Sequence, residues 1–297
     1  MTRAHRRLGR GFTLVELVIT LTLVAIVGPV IINVMLSQSR HVQQASEQVR
    51  VREALRQSSE LLSADLRGLA PTLGDLADFT GNSLTLRATI GSGIVCAVNG
   101  SASVDLVPQE AAVAPMTYFV DTPVVGDTLQ LLRLSDNSWQ AIPITGVSSG
   151  TSACPVSSSA FASVADAAKS RLRLTATLPT GVAAGDVVRV TRPVRYTVTQ
   201  QGSGIWYLTR SEYRSGGWSS AVAAGPFRPV SGSAATGGLG VSVFDDAGVA
   251  LGTADRTRAA RVALVLRGLG RATSAVSGQY AQAAADSLVI SVALRNR

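Results

Sequence analysis

Residues 11–36 read GFTLVELVITLTLVAIVGPVIINVML and contain a single charged side chain, the carboxylate of Glu16. The run from Phe12 to Leu36 would extend about 37 Å as an α-helix, because each residue adds about 1.5 Å. A bilayer core is roughly 30 Å thick, so the run predicts a membrane-spanning helix. A charge at the bilayer centre costs roughly 3 kcal/mol, which indicates a functional role for Glu16 and a partner for its carboxylate.

The residues before Phe12 form a short basic leader. It contains four arginines, Arg3, Arg6, Arg7 and Arg10. The whole chain has a formal charge of +8, so the chain after Gly11 has a charge of 8 − 4 = +4. Basic flanks stay in the cytoplasm, and the leader therefore predicts that the rest of the chain lies outside the inner membrane. The apolar run is too long for the core of an ordinary signal peptide, so we expect it to be retained.

The leader ending in Gly11, followed by Phe12, a short apolar stretch and Glu16, resembles the class III signal of type IV pilins and their relatives. The resemblance implies that a prepilin peptidase cuts after Gly11 and methylates the new N-terminal Phe12. It also implies that the retained helix becomes the core of a filament.

The same resemblance gives Glu16 a role in assembly. In filaments of the resembled family this side chain neutralises the N-terminal amine of an adjacent subunit, which here would belong to Phe12. An ammonium and a carboxylate buried together cost far less than either alone, and losing one partner is strongly destabilising. We therefore expect Glu16 to set the register at which a subunit docks.

Gly28-Pro29 predicts a break in the helix, because proline removes the hydrogen bond to the carbonyl of Ala25. From residue 37 to residue 70 the sequence predicts an amphipathic continuation of the helix. Its apolar stripe consists of Val42, Val49, Leu55, Leu62, Leu66 and Leu69. We prefer packing against the protein's own core to a separate coiled-coil partner as the explanation of this stripe. Pro71 and Gly74 are expected to end the helix.

Beyond residue 80 the chain consists of short alternating runs between Gly, Ser, Asn and Asp, a pattern typical of β-strands. The strand candidates are 84–86, 129–134, 172–174, 187–190, 194–198, 206–208, 262–266 and 288–294. Gly126-Asp127 and Gly185-Asp186 are turn residues that lead into strands, and they hint at a duplicated sheet unit. The Ser-, Ala- and Gly-rich stretches 146–170 and 216–240 predict loops, the first with a short helix at Ala160 to Lys169.

Several of these strands resemble those of large minor pilins of the PilW type and of the J-type pseudopilin of type II secretion. The matching segments are 192–198 with 206–210, 240–248 with 260–266, and 288–296. The resemblance implies an α+β, type IV pilin-like fold, in which a long N-terminal helix packs on a β-rich C-terminal domain. The expected boundaries are a leader at 1–11, a membrane or filament-core helix at 12–36, its amphipathic continuation at 37–70, and a globular domain at 71–297.

Two cysteines, Cys96 and Cys154, fall in the part of the chain that is predicted to be exported. In an oxidising periplasm such a pair can form a disulfide, which would contribute roughly 4 kcal/mol by closing a long loop. Two unrelated buried thiols are the alternative interpretation.

The residue types present argue against an enzyme. Both histidines, His5 and His41, lie outside the predicted globular domain, which excludes histidine-dependent triads and metal sites there. Asp245-Asp246-Ala247-Gly248 lacks the spacing of a calcium loop and predicts a hairpin turn. We therefore expect no catalytic residue, no metal and no cofactor.

The predicted function is that of a minor pilin or pseudopilin, a structural subunit that initiates or caps a type IV pilus or a type II secretion pseudopilus. Its expected partners are other pilins or pseudopilins, the prepilin peptidase and the inner-membrane assembly platform. The expected location is the inner membrane, crossed once with a cytoplasmic N-terminus, and then the filament.

Two alternatives of other classes remain open. One is a competence-pilus subunit that binds DNA through C-terminal arginines such as Arg256, Arg258 and Arg261, whose charges would attract phosphates. The other is a signal-anchored periplasmic binding module that does not polymerise.

Overall fold

The computed structural model describes residues 13–111, 115–150, 154, 166, 169–230, 235–271 and 283–294. A 54-residue helix, α1 (Leu14–Arg67), is followed by a domain built from antiparallel strands, which confirms the predicted α+β layout. The chain divides into two compact units. One comprises residues 1–49 and 271–284, and the other comprises residues 50–270 and 285–297.

The described strands form one large sheet. They are β1 (Leu76–Thr80), β2 (Ser83–Asn99), β3 (Ser103–Leu106), β4 (Tyr118–Phe119), β5 (Thr128–Arg133), β6 (Ser138–Pro143), β7 (Gly146–Gly150), β8 (Arg171–Thr175), β9 (Val187–Gln200), β10 (Trp206–Arg214), β11 (Gly217–Phe227), β12 (Leu239–Phe244), β13 (Arg261–Leu269) and β14 (Ala285–Ala293). The main order is β12-β13-β11-β10-β9-β2-β3-β8-β7, with β14 on β13, β5 on β9, β6 on β5, and β1 and β4 on β2.

The centre of the sheet is the pairing of β2 with β9. The ladder joins Ser83 with Thr197 at one end and Ile94 with Val187 at the other. The sequence predicts two strands here, separated near Pro193, but β9 is one strand because its ladder to β2 continues through Pro193. The predicted pairings of 192–198 with 206–210 and of the 240s with the 260s are confirmed as β9–β10 and β12–β13.

Two predicted loops contain strands instead. Gly146–Gly150 forms β7 against β8, and Gly217–Phe227 forms β11 against β10. Both segments are poor in residues that favour strands, but pairing with a neighbouring strand outweighs local preference. Ser215 and Gly216 have φ of 49° and 91°, the left-handed conformations that a tight hairpin turn needs before β11. Most of the helix predicted at 160–169 lies outside the described residues.

Helix α1 continues through Gly28 and Pro29, so the helix is not interrupted at this pair, and the kink that the sequence predicts there stays a prediction. Proline removes one backbone donor, but its fixed φ suits a helix, and the hydrogen bonds of neighbouring turns remain. A single missing bond therefore leaves the helix continuous.

The second part of α1 buries its apolar stripe, as predicted. Val51, Leu55, Leu62 and Leu66 are all less than 5% exposed. The prediction fails for the first two members of the stripe, since Val42 and Val49 are 68% and 67% exposed. The buried stripe therefore begins at Val51 and covers about four turns of the helix.

A buried aspartate fixes the chain where α1 ends. The carboxylate of Asp75 accepts hydrogen bonds from the backbone N–H of Ala70 at 2.8 Å and from the amide of Gln130 on β5 at 2.6 Å. Arg189 on β9 lies 2.8 Å from the same carboxylate and donates to the carbonyl of Gly68 at 2.7 Å. This cluster ties the helix terminus to the centre of the sheet, and the helix ends at Arg67, shortly before the predicted end.

The two Gly-Asp pairs form the same turn, as predicted. Gly126 and Gly185 have φ of 98° and 100°. Asp127 accepts from the N–H of Val124 at 2.8 Å, and Asp186 accepts from the N–H of Ala183 at 2.9 Å. A side-chain carboxylate thus closes each turn immediately before β5 and before β9.

A chain of ionisable side chains runs from α1 across the sheet. Tyr196 donates to Asp65 on α1 at 2.6 Å, and Arg210 donates to the Tyr196 hydroxyl at 3.0 Å. Arg210 also pairs with Glu212. Burial first, and then the charge of Asp65, raises the pKa of Tyr196, so the hydroxyl stays protonated and donates.

The same series of paired side chains continues through Arg214 to the buried Arg192. Arg214 pairs with Glu212 at 2.6 Å and also with Asp121. Arg192, 1% exposed, holds the carboxylate of Asp127 with Nε at 2.9 Å and Nη2 at 2.8 Å, and also pairs with Asp121. These pairs join β9 and β10 to the segment before β5.

Two of these carboxylates, Glu212 and Asp121, have a pKa below the usual range. Burial would raise the pKa of Glu212, but hydrogen bonds and charges from Arg214 and Arg210 outweigh it and lower that pKa. Burial is likewise outweighed at Asp121, whose pKa Arg192 and Arg214 lower. A lowered folded-state pKa stabilises the fold above the unfolded value, near pH 4, and the stabilisation disappears as the pH falls through the folded value.

We therefore predict an acid sensitivity that depends on Glu212. The free energy of unfolding of the detergent-solubilised chain should fall as the pH drops from about 5 to about 2, and less steeply in Glu212→Gln. Denaturant titrations at several pH values measure this slope. Glu60→Gln is the control, because Glu60 forms an exposed helical pair with Arg56 that contributes little. Equal slopes in wild type and Glu212→Gln would contradict the prediction.

Close contact between α1 and β13 gives a second prediction. A Cβ added at Gly268 would lie 2.5 Å from Cγ1 of Val51, so Gly268→Ala should cost about 1–3 kcal/mol of unfolding free energy. Adding Val51→Ala should recover part of that loss, measured by denaturant titration of all variants. Gly202→Ala, where a methyl group meets nothing within 4 Å, should be neutral. Simple additivity of the Gly268 and Val51 changes would contradict the proposed contact.

Candidate functional site

The N-terminus of α1 is the candidate assembly site. Gly11 and Phe12, the predicted processing residues, lie outside the described residues, and Thr13 is the first residue described. The helix begins at Leu14, so Thr13 is its N-cap and Glu16 lies in the first turn. The predicted assembly residue therefore lies in the first turn of the helix.

Thr13 and Glu16 form a reciprocal capping box. The backbone N–H and the hydroxyl of Thr13 each donate to Glu16 Oε2 at 3.1 Å. The N–H of Glu16 lies 3.3 Å from the Thr13 hydroxyl oxygen, which accepts from it. The box satisfies donors that a helix N-terminus leaves free, and a carboxylate there also suits the helix dipole. The sequence analysis missed this pairing, although the Thr-x-x-Glu spacing is a known signal for it.

The capping box uses one carboxylate oxygen twice. Within the described residues Oε1 of Glu16 makes no hydrogen bond, and the side chain is exposed. Glu16 can therefore accept a hydrogen bond from a cation while it caps its own helix. A cut after Gly11 would create an amine at Phe12, one residue before the N-cap.

The surface of α1 around this site is apolar and uncovered. Leu14, Ile26 and Met35 are 80%, 68% and 65% exposed. Within the described chain α1 is the one helix long and apolar enough to cross a membrane, with a mean hydropathy of 2.5 over its most apolar window of 18 residues. Exposed apolar surface of this extent is consistent with anchoring in a membrane.

The two cysteines are joined in a disulfide, with Cys96 on β2 and Cys154 separated by 58 residues. Both are buried beside Val107 and Ala111. Arg171 on β8 lies on the disulfide, with Nη1 3.4 Å from Cys96 Sγ and 3.5 Å from Cys154 Sγ. No local pattern marks this arginine, because its position depends on the pairing of β8 with β3 and β7.

Two arginines beside the disulfide, Arg173 and Arg171, interact unequally with the carboxylate of Asp105. Asp105 accepts from Arg173 Nε at 2.6 Å and Nη2 at 2.9 Å, and lies 3.6 Å from Arg171 Nη2. Burial would raise the pKa of Asp105, but Arg173 outweighs it and lowers that pKa. Burial lowers the pKa of Arg171. The negative charge of Asp105 raises this pKa and the positive charge of Arg173 lowers it, and the net result is a lowered pKa.

The remaining candidate residues have structural roles in the described chain. Asp245 closes a turn by accepting from the N–H of Val249 at 2.8 Å, with Gly248 at φ 80°, which confirms the predicted turn. No group of three or more His, Cys, Asp or Glu side chains among the described residues could hold a metal ion.

The C-terminal arginines that suggested DNA binding have partners of their own. Arg258 pairs with Asp245 at 3.2 Å, Arg256 donates to the carbonyl of Thr253, and Arg261 stacks on Phe244. Their charges are thus engaged within the domain, and nothing in this arrangement favours DNA over the solvent-facing role that sheet arginines commonly have.

Comparison with known proteins bears on the N-terminal segment. Residues 6–28 match the family model described as the prokaryotic N-terminal methylation motif. No curated protein and no solved structure shows significant similarity to the chain. The match covers Gly11, Phe12 and Glu16, and it supports a pilin-like prepilin whose N-terminal segment is processed.

Proposed function

We propose that this protein is a minor pilin or pseudopilin, a structural subunit that initiates or caps a type IV pilus or a type II secretion pseudopilus. The observation that carries the proposal is the methylation motif at residues 6–28, with Glu16 at the start of a long apolar helix. The motif is one of structural subunits rather than enzymes. The proposed segments are the leader 1–11, the core helix 12–36, its continuation 37–70 and the domain 71–297.

The domain supports a minor rather than a major subunit. The fourteen described strands form one large sheet, whereas major subunits of the resembled family are usually considerably smaller. The pairing of β9 with β10, and of β13 with both β12 and β14, agrees with the segments that resemble large minor pilins and J-type pseudopilins. A bulky domain is tolerated at a filament end, where fewer neighbours surround it.

Assembly would exchange lipid for protein around α1. In the precursor the leader arginines would hold the N-terminus in the cytoplasm, and the helix would lie in the inner membrane. On entry into the filament, the amine of Phe12 from a neighbouring subunit would meet Glu16 through its free oxygen. The pairing compensates two charges in an apolar interior, so it favours the correct axial height over others.

Because Glu16 has two roles in this proposal, two substitutions separate them. Glu16→Ala removes both the cap and the charge, whereas Glu16→Gln keeps a side chain able to complete a capping box without the charge. Both variants should insert into the membrane but enter sheared filaments at least about ten-fold less than wild type, since an unpaired buried amine costs several kcal/mol. Quantitative immunoblotting of membrane and filament fractions measures the ratio.

Thr13→Ala is the matched control, because it removes the cap and leaves the charge. This variant should enter filaments almost as well as wild type. Wild-type incorporation of Glu16→Gln would refute the charge-pairing role, and a defect confined to Thr13→Ala and Glu16→Ala would assign the effect to helix capping instead.

Processing is tested at the glycine itself. Gly11→Leu should leave an uncleaved precursor, because a peptidase that cuts after glycine has no room for a side chain there. Gly9→Leu is the matched control in the same leader and should be cut normally. Mass spectrometry of the N-terminus gives the result: methyl-phenylalanine at residue 12 supports the proposal, and an intact Met1 in the wild type supports a signal-anchored module that does not polymerise.

A further inference from the structure

The disulfide between Cys96 and Cys154 has a cation in direct contact with both sulfur atoms. Arg171 Nη1 lies 3.4 Å from Cys96 Sγ and 3.5 Å from Cys154 Sγ. All three side chains are buried, at 0%, 3% and 1% exposure for Cys96, Cys154 and Arg171. A disulfide sulfur is a weak hydrogen-bond acceptor, so this contact satisfies the guanidinium poorly while the bond is oxidised.

The charge of Arg171 is also incompletely balanced by its other neighbours. Within the described residues its Nε and Nη2 have no hydrogen-bond partner. Asp105 lies 3.6 Å from Nη2, but both of its oxygens accept from Arg173. Arg173 holds Asp105, and Arg192 holds Asp127, with two hydrogen bonds from Nε and Nη2. At Arg171 the same two nitrogens make only the 3.6 Å ion pair with Asp105 and no hydrogen bond. A buried cation in this position gains from any new anion beside it.

Reduction of the disulfide would supply that anion. A thiolate next to a buried cation is stabilised, and the pKa of the thiol falls accordingly. The stabilisation applies to the reduced state far more than to the neutral disulfide, so it shifts the thiol–disulfide equilibrium towards reduction. Arg171 thereby acts on the stability of one redox state relative to the other, and not only on packing.

We propose that Cys96–Cys154 is a thiol–disulfide exchange site, reduced by a dithiol, with Arg171 stabilising the thiolate that leaves. A thiolate of the dithiol attacks one cysteine sulfur, the Cys96–Cys154 bond breaks, and the other cysteine leaves as a thiolate beside Arg171. The second thiol of the dithiol loses its proton and attacks the mixed disulfide. The dithiol leaves as a disulfide, the protein has gained two electrons, and its thiolates take up protons from water.

The surroundings are consistent with access from one side. A cavity of about 550 Å³ is lined by Arg171 together with Lys169, Thr117 and Phe119. Its lining includes Arg171, which contacts both sulfur atoms, but neither cysteine, so exchange requires that the buried bond first becomes exposed by local opening. The product of exchange is a domain in which residue 154 is no longer tied to β2.

The test is the equilibrium constant between the full chain in detergent and a buffer of reduced and oxidised dithiothreitol. Free thiols are trapped with a maleimide and counted by mass spectrometry. Arg171→Met should shift the equilibrium at least ten-fold towards the disulfide, since the thiolate loses its cation. Arg171→Lys should lie between wild type and Arg171→Met. Asp105→Asn should shift it in the opposite direction, because the arginine charge is then less compensated.

Opposite signs separate the proposal from a packing role, since loss of packing would move Arg171→Met and Asp105→Asn in the same direction. Shifts of the same sign, or an unchanged constant in Arg171→Met, would overturn the proposal. If either variant fails to fold, the wild-type protein decides. Alkylation rates of the reduced chain against pH should give a thiol pKa below the ordinary value of about 8.5, and a value at or above it would also overturn the proposal.

Discussion

An apolar helix surface without a partner is the constraint on which the rest of this molecule depends. Before Val51 the apolar side chains of α1 are exposed, and from Val51 onward the helix buries a regular stripe. One helix therefore meets two environments along its length. The first must be supplied by lipid or by other helices, whereas the second is supplied by the sheet that follows in the same chain.

Polar contacts as well as apolar ones join the second part of α1 to the sheet. Asp75 and Arg189 hold the end of α1 through the backbone of Gly68 and Ala70, while Asp65 bonds Tyr196 one turn earlier. Buried ion pairs give little net stability compared with apolar packing, but they are costly to misalign. Their contribution is best understood as fixing one position of the helix on the sheet, which apolar side chains alone would specify less sharply.

Sequence reasoning was most successful where a pattern is local. The span and charge of residues 11–36, the turns at Gly126-Asp127 and Gly185-Asp186, and the strand around Val262 are all visible in short windows. It failed where strand pairing determines the secondary structure, as in β11. The first residues of this strand, Gly-Trp-Ser-Ser-Ala, favour a loop by local preference, but they pair with β10. At Pro29 a local rule overestimates the disruption, because the helix continues through this residue.

The candidate site shows the same difference between features that a local pattern predicts and features that depend on strand pairing. Glu16 was identified because a lone charge in an apolar run is conspicuous, but its partner Thr13 was overlooked although the spacing was in view. Arg171 could not be found from the sequence at all. Nothing local marks it among the chain's arginines, and only the register of β8 against β3 and β7 brings it to the disulfide.

The two aspartate turns have a consequence for how the sheet avoids misalignment. Strands β5 and β9 are antiparallel, so the turn before β9 lies beside the end of β5, and the turn before β5 lies beside Arg192 in the middle of β9. Asp186, before β9, accepts from the N–H of Leu134 just after β5, and Asp127, before β5, is held by Arg192 within β9. A slip of one residue would break both clamps and turn the apolar side chains of β5 to the wrong face. One aspartate contact thus lies at each end of the β5–β9 ladder, and only one register of the two strands keeps both contacts.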